Sequence, residues 1–235
     1  MNPPVNALSR GLCAALGEAW AEAEADPGVE RIVITGSGKM FVAGADLREI
    51  ERITRGEIAP DMGYLNELLN AIEQGKTLVV MAMNGGALGI GLELAMAGHY
   101  RVLEAGAKVG LPEVKLGLIP GAGGTQRLPR LAGLEAAFRM CLSGEPVGAA
   151  EALELGIVDR VVEGDVVKAA LSGGVGRKTC DLPCVGSGRV AEALIGALGG
   201  FDEGLEVEAR LFRKALVSEE AREKVGAFFA ARKRG

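Results

Sequence analysis

The 235-residue sequence has few of the side chains on which many enzyme mechanisms depend: one histidine, four cysteines and 4% aromatic residues. A Ser-His-Asp or Cys-His mechanism would have to use His99, and a closed zinc site would need distant ligands, so no metal site is predicted. His99 directly follows an apolar segment, which favours a structural role. Only Cys180 and Cys184 are close in sequence, and the cysteines are expected to be reduced thiols, mostly buried.

Charge and hydropathy argue against two further kinds of partner. A formal net charge of −5 is not typical of a general nucleic-acid surface. Apolar runs are interrupted by Gly, Glu or Asn before they reach the length of a membrane span, and the N-terminus lacks the order of segments found in a signal peptide. The sequence therefore predicts a soluble, cytoplasmic protein with no nucleic-acid or membrane partner.

Strands and helices alternate along most of the chain, with glycine-rich turns between them. Strands are predicted at 31–35, 78–83, 100–103, 108–111 and 157–162, and helices at 9–24, after Asp46, and at 64–74, 92–97, 125–131, 133–142 and 147–155. This alternation is typical of a parallel sheet and of the α/β class. Residues 172–188 are linker-like, and helical patterns follow at 189–198, 203–216 and 218–232. We therefore divide the chain into a core, residues 1–171, and a linker with a helical C-terminal region, residues 172–235.

The segment that says most about chemistry runs from the strand at 78–83 into the next helix. The strand ends in a glycine cluster, and Gly89-Ile90-Gly91 is placed at the helix N-terminus, where unpartnered backbone N–H groups attract negative charge. Glu93 lies in the first turn among apolar helical neighbours, so it either faces a cavity or is buried at a cost. The alternative is that Glu93 only complements the helix dipole.

A second acidic residue, Glu113, lies in a segment with two interpretations. Val114, Leu116 and Leu118 alternate with Glu113 and Lys115, which is typical of a strand with one solvated side. Alternatively, Glu113 pairs with Glu93 beside the helix N-terminus and forms an acid/base pair with an oxyanion-stabilising site.

Two turns remain, one of small residues and one rich in glycine. The small residues at 40–47 either let a ligand approach the backbone closely or form a tight turn packed on the core. The turn at 119–125 lacks the Gly-Lys-Ser/Thr ending of a nucleotide P-loop and is weak evidence for a phosphate site.

Four motifs, taken in order, resemble the enoyl-CoA hydratase/isomerase (crotonase) superfamily. They are FVAGADL at 41–47, NGGALGIGLELA at 84–95, LPEVKLGLIPGAGGTQRLPR at 111–130 and ALELGIVD at 152–159. The likeness covers nearly the whole chain, and the segment from Phe201 to Ala230 resembles the hydratase region of the multifunctional fatty-acid β-oxidation enzyme.

This resemblance implies a crotonase-like spiral of ββα units with a helical C-terminal region, and a bound acyl-CoA whose thioester oxygen is held by two backbone N–H groups. Matched by position, those N–H groups belong to Ala45 and Ile90, and the two catalytic carboxylates are Glu93 and Glu113. The residues matched to substrate and coenzyme A binding are Ala43, Asp46, Leu47 and Gly89.

The implied reaction is hydration of 2-trans-enoyl-CoA to 3-hydroxyacyl-CoA in fatty-acid β-oxidation. The chemistry needs a polarised thioester, a carboxylate that takes a proton from water and a second one that protonates the α-carbon. Coenzyme A is then part of the substrate, and no separate cofactor is expected. Stand-alone members of the family form trimers and dimers of trimers, so the resemblance also implies a homo-oligomer.

The sequence departs from the family pattern at two places. Ile90 occupies the middle position of a glycine triplet, which would distort the oxyanion hole if that position needs a conformation or a clearance that only glycine allows. The chain begins at residues that normally follow an opening strand, so the first sheet is expected to have a bare edge. Two alternatives to the hydratase are therefore a Δ3-Δ2 enoyl-CoA isomerase, which needs one well-placed base, and an inactive acyl-CoA-binding relic.

Overall fold

Two four-stranded sheets form the centre of the computed structural model, which describes residues 4–60, 63–172, 193–194 and 200–232. The first sheet contains, in spatial order, β1 (Arg31–Thr35), β3 (Leu78–Met83), β5 (Tyr100–Glu104) and β8 (Arg160–Val162), and the second contains β2 (Met40–Val42), β4 (Gly86–Leu88), β6 (Lys108–Gly110) and β7 (Val147–Gly148). Neighbouring strands are parallel except for the antiparallel pair β6–β7.

Successive strands along the chain contribute alternately to the two sheets through β6, and helices follow the strand pairs, which produces a spiral of ββα units. The helices are α1 (Arg10–Ala25), α2 (Leu47–Thr54), α3 (Gly63–Gln74), α4 (Ile90–Ala97), a 3₁₀ helix (Glu113–Leu116), α5 (Gly124–Ser143), α6 (Ala149–Glu154), α7 (Val166–Ser172), α8 (Phe201–Leu216) and α9 (Glu219–Arg232). The predicted α/β class, the spiral and the helical C-terminal part are confirmed.

The start signals of two helices are confirmed in detail. The Ser9 hydroxyl accepts a hydrogen bond from the N–H of Leu12 at the start of α1, and the Asp46 carboxylate accepts one from the N–H of Arg48 at the start of α2. Both side chains thus satisfy a backbone donor that has no partner inside its helix.

Other predictions about local structure were wrong. The strand pattern around Glu113 is instead a 3₁₀ helix. β2 and β4 were not predicted, because β2 lies in the small-residue stretch at 40–47 and β4 begins in the glycine cluster after β3. The helix predicted at 147–155 includes a short strand, β7, before α6.

The apolar run that precedes the glycine cluster is the buried centre of the first sheet. β3 lies between β1 and β5, and Val79 to Met83 are all buried, which explains why its residues do not alternate between apolar and polar. Every residue of α4 is also buried. A Cβ on Gly91 would lie 2.2 Å from the carbonyl oxygen of Val42, so a glycine there lets α4 pack directly against β2.

His99 has a structural role, as predicted. The N–H of Val79 donates to its Nδ1 at 2.9 Å, and its Nε2 lies 3.2 Å from the carbonyl oxygen of Glu73. The imidazole is buried and does not line the cavity described below. Its hydrogen bonds instead tie α3 to the start of β3.

The C-terminal helices pack back onto the core. α8 contacts α5, and α9 contacts both α2 and the 3₁₀ helix. Ser172, the first residue of the predicted linker, is the last residue of α7. The rest of the linker, most of the predicted helix at 189–198 and the pair Cys180 and Cys184 lie outside the described residues, so the division of the chain after residue 171 stays a prediction. β1 pairs with one strand, β3, and is therefore an edge of the first sheet. No described helix is both long and apolar enough to cross a membrane.

Candidate active site

A cavity of about 940 Å³ lies between the core and the two C-terminal helices. Its wall includes all eight residues that were predicted to form the site: Ala43, Ala45, Asp46, Leu47, Gly89, Ile90, Glu93 and Glu113. These residues come from three separate motifs. The fold brings them together because β2, β4 and β6 are parallel, so the segments that follow these strands begin at the same edge of the second sheet.

Ala45 points its backbone N–H away from Leu8, the residue with which it forms a parallel bridge. The N–H of Leu8 donates to the carbonyl of Gly44 at 2.8 Å, and the N–H of Asp46 donates to the carbonyl of Leu8 at 3.0 Å. In a parallel bridge the residue between two such partners points its own N–H to the other side. Ala45 is in this position, and within the described part of the chain its N–H has no backbone acceptor.

Ile90 supplies a second backbone N–H at the cavity. It is the first residue of α4, so its N–H has no acceptor inside the helix. The turn that precedes the helix needs a positive φ, but that φ of 54° is at Gly89. Among described residues other than glycine, only Asn6 has a positive φ, so Ile90 adopts an ordinary backbone conformation. The isoleucine therefore changes the side chain at this position without straining the backbone.

Main-chain amides hold Glu93 in place. One oxygen of its carboxyl group, Oε1, accepts hydrogen bonds of 2.8 Å from both Ala122 and Gly124, and the side chain is buried. Both bonds go to Oε1, which leaves Oε2 for the cavity. The hypothesis that Glu93 merely complements the helix dipole is therefore insufficient, because its carboxyl group contacts a different loop of the protein.

Glu113 lies close to the glycine turn that precedes α4. It is the first residue of the 3₁₀ helix, and a Cβ placed on Gly89 would lie only 2.9 Å from its Oε1. Its Oε2 is buried and accepts no hydrogen bond from the described residues. Because buried polar atoms are nearly always paired in proteins, an unpaired oxygen in a residue that lines the cavity is suited to bind a ligand.

Burial changes the protonation of both glutamates. Desolvation raises the pKa of Glu113 to about 8, and the charge of Glu208 acts in the same direction. Desolvation also raises the pKa of Glu93 well above its usual range, with further contributions from the charges of Glu113 and Glu208, against the opposing effect of the two amide hydrogen bonds. Both carboxyl groups therefore keep a proton to a higher pH than an exposed glutamate does.

We expect the stability of the protein to fall as the pH rises between about 4.5 and about 8. The folded protein keeps a proton on Glu113 up to about pH 8, whereas the unfolded chain loses it near the ordinary value of 4.5, so the folded state binds more protons in this window. Chemical denaturation over this range measures the slope. In Glu113→Gln, which cannot titrate, the free energy of unfolding should depend less on pH, and an unchanged slope would contradict the assignment.

Gly124 is a position where a single methyl group should reduce activity. A Cβ there would lie 2.7 Å from Oε1 of Glu93 and 2.7 Å from Cβ of Pro120. A displacement of about 1 Å can reduce the rate of a catalysed reaction strongly. Gly124→Ala is therefore expected to lower kcat for the hydration that the family resemblance implies by about tenfold to 10²-fold. Gly11→Ala is the matched control, since a Cβ on Gly11 has no atom within 4 Å. Equal kcat values for the two variants would show that Glu93 tolerates the displacement.

The sequence did not reveal two parts of the site. Phe212 of α8 and Phe228 and Phe229 of α9 line the cavity, together with Lys224 and Arg232. Glu208 of α8 is fully buried behind the loop that holds Glu93 and does not line the cavity. A signal for Glu208 was present, because it lies three residues after Leu205 and four before Phe212 and is therefore an acid on the apolar face of a helix.

Among the described residues no cluster of histidine, cysteine and carboxylate side chains is placed to hold a metal ion.

A spiral of ββα units that encloses two buried carboxyl groups in one cavity defines a crotonase-fold protein. Residues 1–179 match the model of the family described as enoyl-CoA hydratase/isomerase. The chain therefore belongs to the enoyl-CoA hydratase/isomerase family.

Individual relatives agree with this assignment. A probable enoyl-CoA hydratase of Bacillus subtilis is 38% identical over 239 residues, which cover 99% of this chain and 91% of that protein. The peroxisomal bifunctional enzyme of Danio rerio is 48% identical over 170 residues, but these cover 72% of this chain and only 23% of the larger protein. Among solved structures, EchA1_1 from Mycobacterium paratuberculosis is 32% identical with a TM-score of 0.74, covering 94% of this chain and 86% of its own.

Proposed function

We infer that this protein is an enoyl-CoA hydratase, which adds water to the double bond of 2-trans-enoyl-CoA and gives 3-hydroxyacyl-CoA, as in fatty-acid β-oxidation. The observation that carries the proposal is that Glu93 and Glu113 line one cavity together with Ala45 and Ile90. The name of the Bacillus subtilis relative, a probable enoyl-CoA hydratase matched over nearly its whole length, supports the same activity.

In this proposal the thioester oxygen of the substrate accepts hydrogen bonds from the N–H groups of Ala45 and Ile90. The negative charge that develops on this oxygen is stabilised, and the β-carbon becomes electrophilic. Water attacks the β-carbon while one carboxylate accepts its proton, and the other carboxyl group delivers a proton to the α-carbon. The β-carbon gains the hydroxyl group of the water, and the α-carbon gains a hydrogen. One glutamate gains a proton and the other loses one, so the overall reaction is the addition of water to the double bond.

The hydrogen bonds of the two glutamates support a division of roles. Glu93 has two amide donors on Oε1, which favour its ionised form and oppose the desolvation that raises its pKa. Glu113 has a pKa of about 8 and an Oε2 without a donor, so it carries a proton at neutral pH. We therefore assign the general base to Glu93 and the general acid to Glu113.

Hydration of crotonyl-CoA tests the proposed function directly. The purified protein is expected to remove the absorbance of the conjugated thioester, and a series of enoyl-CoA substrates of increasing length would define the acyl preference. Calorimetric binding of these thioesters without turnover at any length would instead support the inactive relic. The ordinary backbone conformation of Ile90 argues against backbone strain as a reason for that alternative.

Δ3-Δ2 isomerisation is a second candidate that the same site favours. The reaction needs one base that removes a proton from C2 and returns it at C4, and Glu113, which lines the cavity and has an unpartnered Oε2, is suited to this transfer. Incubation with 3-enoyl-CoA measures this activity separately from hydration. Assembly into a trimer or hexamer and a cytoplasmic location stay predictions, and the mass of the protein in solution would test the first.

A further inference from the structure

We propose that Glu208 is a positioning residue for the hydration reaction: it holds the loop at 121–125 from the side opposite the cavity, so that this loop presents Glu93 to the substrate. The inference rests on the proposed function, because the step that it assists is the one assigned to Glu93. Glu208 itself does not line the cavity and does not touch the substrate.

The four consecutive amides of the loop alternate between two carboxyl groups. Ala122 and Gly124 donate to Oε1 of Glu93, both at 2.8 Å. Gly123 donates to Oε1 of Glu208 at 2.6 Å, and Thr125 donates to Oε2 of Glu208 at 2.8 Å. The loop is therefore fixed between one carboxyl group on the cavity side and another behind it, and a shift of either one changes the position of the other.

The hydroxyl of Thr125 adds a third hydrogen bond to Glu208. Its Oγ1 donates to Oε2 at 2.5 Å, so the two oxygens of Glu208 together accept three bonds from two residues of the loop. A glutamine at position 208 could not reproduce this arrangement, because one of its two terminal groups would be an amide NH₂ that faces N–H or O–H donors. The loop has thus been built around a carboxylate.

Arg127 fixes the same loop through its carbonyl groups. Its Nη1 donates to the carbonyl of Ala122 at 3.0 Å, and its Nε donates to Glu73 at 3.0 Å. A Cβ on Gly123 would lie 2.0 Å from Nη1, so the backbone and the guanidinium are in close contact. Burial raises the pKa of Glu208, whereas its hydrogen bonds and the charge of Arg127 lower it and so favour the carboxylate.

The charge of Glu208 also reaches the catalytic pair. It raises the pKa of both Glu93 and Glu113. The other titratable or charged groups around it are Arg127 and the buried thiol of Cys141, whose pKa is raised by burial and by the same carboxylates. Removing the charge of Glu208 should therefore lower the pKa of the glutamates, which a purely structural residue would not do.

Two substitutions separate position from charge. Glu208→Gln is expected to lower kcat for crotonyl-CoA by about tenfold to 10²-fold with little change in KM, because the loop is displaced while the substrate surface remains. The alkaline limb of its pH profile, the range in which activity declines as the pH rises, should also move to lower pH, because the pKa of Glu113 is lowered. Glu208→Asp keeps the charge on a shorter side chain, so kcat should fall while the alkaline limb stays near its wild-type position. Glu206→Gln, an exposed residue of the same helix, is the matched control and should behave as the wild type.

Thr125→Val provides a test if Glu208→Gln does not fold. It removes the hydroxyl donor but keeps the volume and the loop amides, and it should lower kcat by a smaller factor than Glu208→Gln would. Wild-type kcat and pH profile in Glu208→Gln, or wild-type kcat in Thr125→Val when Glu208→Gln is unfolded, would overturn the inference. A wild-type protein without hydration activity would instead refute the proposed function, so the two failures are distinguishable.

Discussion

Glu93→Gln should lower kcat for the hydration of crotonyl-CoA by about 10²- to 10⁴-fold, the usual contribution of a positioned general base. The amide oxygen of glutamine can accept the same two hydrogen bonds from Ala122 and Gly124, so the loop stays in place while the ability to accept a proton from water is lost. The expected result is therefore a large fall in kcat with a nearly unchanged KM and an unchanged melting temperature.

This variant also distinguishes the two candidate reactions. If Glu113 alone moves the proton in isomerisation, Glu93→Gln should retain activity on 3-enoyl-CoA while it loses hydration. Loss of both activities would show that Glu93 takes part in each. A variant with wild-type hydration would remove Glu93 from the mechanism, whatever its effect on isomerisation.

Glu113→Gln is expected to lower hydration by a similar factor, about 10²- to 10⁴-fold, because the group that delivers a proton to the α-carbon is lost. The two substitutions differ in their effect on hydrogen bonds. Oε2 of Glu113 accepts no hydrogen bond from the described residues, so Glu113→Gln disturbs none at that atom. Both hydration and isomerisation should be reduced in this variant.

The pH dependence of the remaining activity supplies the control for Glu113. In the wild type, hydration should decline above about pH 8 as Glu113 loses its proton. In Glu113→Gln this alkaline limb should disappear or move. A variant that retains both the wild-type rate and the same limb would assign the acid role to another group.

Part of this site could be predicted from short stretches of sequence. Glu93 was identified because its helical neighbours are apolar, so a charged side chain there needed a reason, and Gly89 because a helix start after a glycine cluster exposes amides. The assignment of Ala45 and Ile90 came from the family resemblance, and the structure places both on the cavity wall. The inferences about Glu93 and Gly89 depend on residues within one or two turns, and both residues also line the cavity.

The rest depends on contacts that no local pattern records. Glu113 alternates with apolar neighbours as a strand residue would, yet it begins a 3₁₀ helix. Glu208 is 85 residues from Gly123 along the chain, so its role became visible only when α8 was placed against the loop. The phenylalanines of α8 and α9 read as ordinary core residues until these helices are known to close the cavity.

The packing of α8 behind the loop has a consequence for protein synthesis. The ribosome makes the loop at 121–125 well before it makes Glu208, so for a period the amides of Gly123 and Thr125 lack their acceptor. The nascent chain would then hold Glu93 on a loop supported from one side only. Catalytic competence should thus arrive with the docking of α8 and lag behind the formation of the sheets.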